Sequence, residues 1–384
     1  MDWSFTQEQR DIRAAIGKLL GDLVTPSSID ALEAEGGWFH RPAWEALAEA
    51  GMLGLALPES AGGAAMGAIE LCLLLEQVGR HVAPIPALPT LVSAALPIAE
   101  HGTEAQRARF LPGVVRGELV LTAALTAPDS RDPLAPSVRA VADGGAWRLH
   151  GRLTNVAFAT ESARVLVPAR LGAARSGGAA GDGPLEVGVF LLDSGADGVT
   201  LRAQRGTNGQ PLREVHLDGA VVAAEDVLAL DAGASRAGTA ALRFAVEWTL
   251  LGVCALEFGV AGRALAMTAA YATERRQFGV PIGTFQGVTQ RLGDAYIDVQ
   301  AMDVSLWKAA WRLSERLDAS RELAVAKLWA SEGGSRVVCA AQHIHGGMGF
   351  DRDYPLFRYF LTSRQLELTL GGPQAHLRAL GELL

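Results

Sequence analysis

The stretch Tyr271-Ala-Thr-Glu-Arg-Arg-Gln-Phe-Gly-Val-Pro-Ile-Gly-Thr-Phe-Gln286 decides how this chain is read. It closes a long run of helically spaced apolar residues, so Arg275 and Arg276 fall at a helix end. The Gly279-Val-Pro281 break then turns the chain into the next helix. A guanidinium is a rigid fork of donors that matches a pyrophosphate, and Phe278 offers a flat face to a ring system. An arginine pair at a helix end also complements the helix dipole with no ligand present, so on its own residues the stretch leaves both readings open.

Around it, helical periodicity runs in three long segments, about 236–275, 284–315 and 320–345, which predicts a helical bundle. Before residue 231 the period changes. Runs such as Trp147-Arg-Leu-His150, Arg164-Val-Leu-Val167, Glu186-Val-Gly-Val-Phe-Leu-Leu192 and Leu212-Arg-Glu-Val-His-Leu217 alternate with period two and predict strands. The small-residue stretch Gly172–Pro184 between two of them reads as a flexible loop without chemistry. Further back, from Thr6 to about Gly117, apolar residues return to three- and four-residue spacing. Pro26, Gly36-Gly37, Gly62-Gly63 and the Pro84/Pro86/Pro89 cluster punctuate that region into four or five helices. The expected architecture is α+β, mainly α. It comprises an N-terminal α-helical domain over 1–117, a small middle β domain, barrel or sandwich, over 118–230, and a C-terminal four-helix bundle over 231–384.

Composition bounds the partners. The chain has 384 residues, 49% of them hydrophobic, enough for a large core. The net charge of −8 comes with no basic stripe, which argues against nucleic acid. The first ten residues carry acids and lack an apolar segment, so no leader or anchor is expected there, and no membrane span is expected later. Cys72, Cys254 and Cys339 stand singly, without metal or disulfide spacing, and a cytoplasmic protein is the simplest expectation. His343 and His345, two apart with no third ligand signalled, are not expected to hold a metal.

The run Glu274–Gln286 closely resembles the flavin-binding segment of the acyl-CoA dehydrogenase family. His343-Ile-His-Gly-Gly-Met-Gly-Phe-Asp-Arg-Asp-Tyr-Pro355 resembles the same family's His-Gly-Gly-x-Gly turn. The opening Phe5–Gln9, the Gly51–Glu59 turn with Gly62-Gly63, and Thr103–Arg107 before Leu111-Pro112 have family counterparts too, as does the helix, strand, helix order. The resemblance implies FAD as cofactor and α,β-desaturation of an acyl-CoA thioester, in lipid or steroid side-chain catabolism. It also implies an electron-transfer flavoprotein or similar acceptor, and a dimeric or tetrameric assembly, homomeric or heteromeric. Carried over by residue, it implies that Arg275 contacts the FAD pyrophosphate with Gln277 and Phe278 beside it, and that Gln286 reaches the cofactor from the next helix. His343, Gly346 and Gly347 would meet the adenosine half of an FAD held by the neighbouring subunit.

Several positions depart from the pattern. The family's Thr-Glu-Pro near the flavin falls on Thr126-Ala-Pro128, which keeps Thr126 but puts Ala127 for the glutamate, and its Trp-Ile-Thr segment falls on Asn155-Val-Ala157. Desaturation needs a carboxylate against a weakly acidic α-proton. The family's base position falls on Leu370, before Gly371-Gly372, and the position used by another branch falls on Thr249. Glu367 would serve only if its segment moved by a turn. Glu247 and Glu257, on the helix of Thr249, are expected to be surface or interface acids. No catalytic residue is therefore assigned. Three functions follow: a dehydrogenase with an atypical base, a base-lacking partner subunit of a heteromeric dehydrogenase, or a non-dehydrogenase flavoprotein of the same fold acting on a CoA thioester.

Overall fold

The computed structural model describes residues 4–172, 186–228 and 234–383. Six α-helices precede the first strand: α1 (Gln7–Leu23), α2 (Pro26–Ala34), α3 (Arg41–Glu49), α4 (Ala68–Arg80), α5 (Leu96–His101) and α6 (Glu104–Val115). Strands β1 (Leu121–Ala123), β2 (Arg139–Asp143), β3 (Ala146–Ala157), β4 (Arg164–Gly172), β5 (Val187–Leu192), β6 (Val199–Arg205), β7 (Pro211–Ala223) and β8 (Val227–Leu228) follow. The chain then runs through α7 (Ala234–Glu274), the two-residue strands β9 (Arg276–Gln277) and β10 (Val280–Pro281), α8 (Gln286–Ser314), α9 (Ser320–His345), α10 (Leu356–Leu368) and α11 (Pro373–Glu382). The α+β, mainly α expectation holds. The small-residue stretch 172–184 lies outside the described residues apart from Gly172, which ends β4.

Helix starts follow local chemistry. The Thr6 hydroxyl accepts from the amide of Gln9 at 3.2 Å while the Gln9 side chain accepts from the amide of Thr6 at 2.9 Å, and Thr103 and Gln106 repeat this reciprocal cap on α6. The Pro84/Pro86/Pro89 cluster does not act as a simple break. Pro89 sits in the first turn of a π-helix, Ala87–Ala95, which continues into α5. A proline there lacks only an amide that has no intrahelical acceptor anyway, so the residue is tolerated.

Two compact units emerge. One comprises residues 47–66 and 86–249; the other comprises 1–46, 67–85 and 250–384. The first contains a single sheet in the order β6-β7-β3-β2-β4-β5-β8, with β1 paired in parallel to β4. Its long antiparallel pair β3–β7 shifts register between Leu149 and His150 and again between Leu153 and Val156. Leu149, Val165, Val167, Phe190 and Val215 form the centre of its core. Every residue of β5 is buried, so this strand is covered on both faces and its expected alternation is absent.

The second unit is the helical bundle. Ala261 of α7, Val299 and Met302 of α8 and Val337 of α9 share one apolar cluster. Where α4 crosses α7 the backbones nearly touch. A Cβ added to Gly79 would lie 2.0 Å from the Leu256 carbonyl oxygen, and one added to Gly259 would lie 2.0 Å from that of Glu76. Only glycine at both positions permits this crossing. Arg358 of α10 forms ion pairs with Asp30 and Glu33 and so ties α10 to α2. By length and composition alone, Ala237–Glu274 would suffice to cross a membrane, but 56% of its most apolar window is buried inside the protein as a core helix.

Candidate active site

Helix α7 ends at Glu274, and the hairpin that follows is held by the amide of Ile282 donating to the Arg275 carbonyl at 2.8 Å. Strands β9 and β10 pair through Arg276–Pro281 and Gln277–Val280. Both residues at the tip have positive φ, 53° at Phe278 and 82° at Gly279, as a two-residue hairpin turn requires. Phenylalanine is an uncommon occupant of that backbone region, and its ring is 94% exposed, with only the edge of Phe285 nearby at 6.2 Å between centroids. Among the described residues the Arg275 guanidinium has no acceptor, and Gln286 opens α8 exposed, on a helix whose N-cap residue Phe285 supplies no side-chain cap. Free donors, an uncapped helix start and an unburied ring stand together along this edge.

The second stretch meets the first through an aromatic stack. His345, the last residue of α9, lies parallel to Tyr271 at 4.2 Å between centroids. Its Nδ1 bonds the Ala341 carbonyl at 2.8 Å and its Nε2 the Tyr354 hydroxyl at 3.1 Å. Burial pulls the pKa of this imidazole down, so it is neutral and structural. Because Tyr271 is one turn before Arg275 and His345 adjoins Gly346, the stack joins the two motifs. Gly346 has φ 58° and ψ −132°, a region open in practice to glycine alone, and a Cβ built on Gly346 or Gly347 would meet no atom within 4 Å. His343 is exposed beside them. The cradle is open to the backbone approach of a ligand, so these residues fit a dinucleotide.

Thr126 lies in the other unit and is woven into it. Its hydroxyl donates to the Thr154 carbonyl at 2.6 Å, and the Thr154 amide donates back to the Thr126 carbonyl at 2.9 Å. Next to Thr154, at the second register shift of β3, Asn155 is exposed with φ 57°, and its amide donates to Gln204 Oε1 at 3.0 Å. The Ala157 carbonyl accepts from the Thr122 hydroxyl at 2.7 Å. These bonds place Thr126 beside Thr154, the neighbour of Asn155, and Thr122 beside Ala157. Neither an aromatic ring nor a hydroxyl stands at 155 or 157.

The candidate base positions and their neighbouring acids are buried or bonded. Leu370 is buried, with φ 55°. The Glu367 carboxylate pairs with Arg364 at 2.8 Å, three residues earlier. Thr249 is buried, its hydroxyl on the Ala245 carbonyl at 2.6 Å and on Ser93 Oγ at 2.9 Å. Glu247 is half-buried and pairs with Arg243 at 3.8 Å.

Glu257 overturns its expectation as a surface or interface acid. It is 1% exposed, bonded to Ser363 Oγ at 2.6 Å, with its second oxygen unpaired. Burial pushes its pKa up to about 8, against the smaller opposing effects of the Ser363 hydrogen bond and Lys327, so the acid is largely neutral at pH 7. The reason for the miss is geometric: this part of α7 is apolar on all sides, so no polar face exists for an acid to mark.

Sequence reasoning missed Lys327, Ser363 and His376 altogether. Lys327 did carry a signal, since it sits among Leu323, Ala324, Ala326, Ala330 and Ser331 at positions that a helix must bury together.

Comparison with known proteins bears on this geometry directly. Residues 6–118 match the model of the acyl-CoA dehydrogenase N-terminal domain and residues 237–384 that of the acyl-CoA dehydrogenase C-terminal domain. The acyl-CoA dehydrogenase FadE27 of Mycobacterium tuberculosis is 35% identical over 100% of this chain and 99% of its own length. Among solved structures, a variant of the Tcur3481-Tcur3483 steroid ACAD superposes with TM-score 0.88 at 41% identity, covering 98% of this chain and 97% of its own. The ChsE4-ChsE5 complex from Mycobacterium tuberculosis superposes with TM-score 0.90 at 34% identity, covering 100% of this chain and 98% of its own. With both terminal domain models matched and a relative of this identity running its whole length, the chain belongs to the acyl-CoA dehydrogenase family.

Proposed function

We propose that this chain serves FAD-dependent acyl-CoA dehydrogenation as a base-lacking subunit, lending its half of a cofactor site to a partner chain that carries the base. The family reaction oxidises the CH–CH bond next to a CoA thioester, and FAD is the family cofactor. Bound FAD supplies the acceptor of the hydride. The chain's own residues do the rest: Arg275 offers its guanidinium to the pyrophosphate, Gln277, Phe278 and Gln286 line the same edge, and His343, Gly346 and Gly347 let backbone reach the adenosine half. By the family resemblance, Thr126 would be a further residue meeting bound FAD.

One observation carries the proposal. At the position where a proton must be taken, Leu370 is buried in a fixed turn, and the alternatives Glu367, Thr249 and Glu257 are bonded or enclosed. A leucine cannot accept a proton, and on this reading the base comes from another chain. The heteromeric relatives support that reading. Two solved neighbours carry two-component names, and one of them is a steroid ACAD. On this basis the partner is a homologous chain bearing a carboxylate, the substrate is a CoA thioester of a steroid or other bulky lipid side chain, the acceptor is an electron-transfer flavoprotein or similar protein, and the site of action is the cytoplasm.

The test is co-expression with a base-bearing acyl-CoA dehydrogenase encoded nearby. The pair should copurify yellow and be bleached anaerobically by acyl-CoA, whereas the chain alone should not be bleached. Bleaching of the chain purified alone would establish an atypical base instead. Turnover of a CoA thioester with no electron acceptor would establish the non-dehydrogenase function.

A further inference from the structure

The turn that carries Leu370 is held by side chains from two other helices. Lys327 on α9 is fully buried, and its ammonium reaches three acceptors: Ser331 Oγ at 2.8 Å, the Leu366 carbonyl at 3.1 Å and the Glu367 carbonyl at 3.0 Å. Three N–H groups meeting three acceptors is the pattern of a charged lysine. Two of those acceptors are carbonyls in the last turn of α10, where no amide four residues on bonds them and a cation also meets the negative end of the helix dipole. From α11, His376, itself buried, bonds the Leu370 carbonyl at 3.1 Å. Three carbonyls between residues 366 and 370 are thus tied to α9 or α11.

The turn has a strained backbone to hold. Leu370 sits at φ 55°, where a branched apolar side chain is disfavoured, and it is followed by Gly371 at φ 101°. Such a conformation persists only when its surroundings over-determine it. The groups facing Lys327 are Cys254 and Glu257 of α7, Glu367 of α10 and His376 of α11. Burial, with the Lys327 charge as second cause, pulls the pKa of His376 down to about 4. At neutral pH His376 is therefore uncharged, and its ring offers a single N–H, which goes to Leu370.

We propose that Lys327 and His376 are positioning residues that clamp the turn at 366–371, so that the side chain of residue 370 is delivered to one fixed place and Glu367 cannot be brought there. The inference rests on reading position 370 as the place of the missing base. It goes further by assigning the rigidity of that place to two residues with no part in proton transfer. The clamp keeps the site closed with leucine. It would equally hold a carboxylate introduced at that position.

Amide hydrogen exchange on the full-length chain tests this without relying on turnover. The amides of Thr369 and Gly371, bonded to the carbonyls of Leu366 and Leu368, report the turn, and peptides from α4 report the bundle. Lys327→Met and His376→Leu should each speed exchange at Thr369 and Gly371 roughly tenfold or more, the size expected for loss of a charged or buried hydrogen bond. Exchange in α4 should stay at the wild-type rate. His376→Gln, which keeps a donor for the Leu370 carbonyl, should restore slow exchange, and a filler of volume alone would not. Should Lys327→Met fail to fold, the His376 pair decides. Unchanged exchange in the turn, equal acceleration in α4, or no rescue by glutamine would each overturn the clamp. Since bleaching of flavin is not the readout, a failed clamp leaves the base-lacking reading standing, and the co-expression experiment judges that reading separately.

Discussion

The hairpin edge at 275–286 and the turn at 366–371 belong to the same bundle and are built on opposite principles. At the hairpin, Arg275 has no acceptor among the described residues and Phe278 is 94% exposed on a positive-φ backbone, and Gly346-Gly347 likewise lie open. At the turn, the carbonyls of Leu366, Glu367 and Leu370 are bonded by Lys327 and His376, and a buried apolar side chain stands at position 370. A surface that leaves donors and a ring unsatisfied is prepared for something from outside the chain. A turn whose carbonyls are bonded from within offers far less to an incoming ligand. The contrast underlies the proposal that the chain holds cofactor and leaves the proton to a partner.

The sharpest way to break that contrast is to give the turn what it lacks. Leu370→Glu places a carboxylate on a backbone already held in position. It should raise the rate of anaerobic flavin bleaching by acyl-CoA at least about a hundredfold over the wild-type chain, the usual contribution of a positioned base. A variant that stays inert would move the deficit to Asn155 and Ala157. The next largest effect is expected at the other region. Arg275→Ala should weaken FAD binding by about 3 kcal/mol, roughly a hundredfold, as loss of a charged partner to a phosphate does. Retained flavin absorbance after gel filtration would sink the assignment of that edge.

Glu257 supplies a pH test that involves neither cofactor nor substrate. Its folded pKa is raised to about 8 from an ordinary value near 4.5. Between those values the unfolded chain has released the proton that the folded chain still holds. Stability from this group is therefore complete below about pH 4.5 and lost as pH rises towards 8. Glu257→Gln removes the ionisable group, so the variant should gain stability over wild type as pH rises from 5 to 8, by on the order of 1–3 kcal/mol at the upper end. Melting curves across that range check it, and parallel pH profiles for the two proteins would contradict a buried, neutral acid. The smallest effect is expected at the hairpin tip. Phe278→Gly relieves a positive-φ residue and should raise the stability of the ligand-free chain by at most about 1 kcal/mol, while weakening flavin binding. A fall in stability would show that the exposed ring contributes more to the fold than its contacts suggest.

Much of the fold was legible in the sequence because periodicity reports which face of an element is buried. The three long helices of the bundle fall at 234–274, 286–314 and 320–345, close to the segments read from spacing. The alternating runs at 147, 164 and 212 all became strands. The residues proposed to hold the cofactor lie close together along two short stretches, which is why a linear reading could single them out. Glu257 was not legible, because α7 is buried nearly all round and helical position alone does not say which neighbour an acid meets. The π-helix at 87–95 escaped for a related reason: three prolines look like a break until it is known which amides go unbonded.

Taken alone, the sequence determined the fold class, the family and the presence of leucine rather than a carboxylate at position 370, since each is a property of residue type and spacing along the chain. Only the tertiary structure decided what surrounds the neighbouring acids. Whether Glu367, Thr249 or Glu257 could stand in depends on which atoms surround them. Arg364, Ser93, Ser363, Lys327 and His376 come to those places from distant parts of the chain, through packing that no linear pattern records.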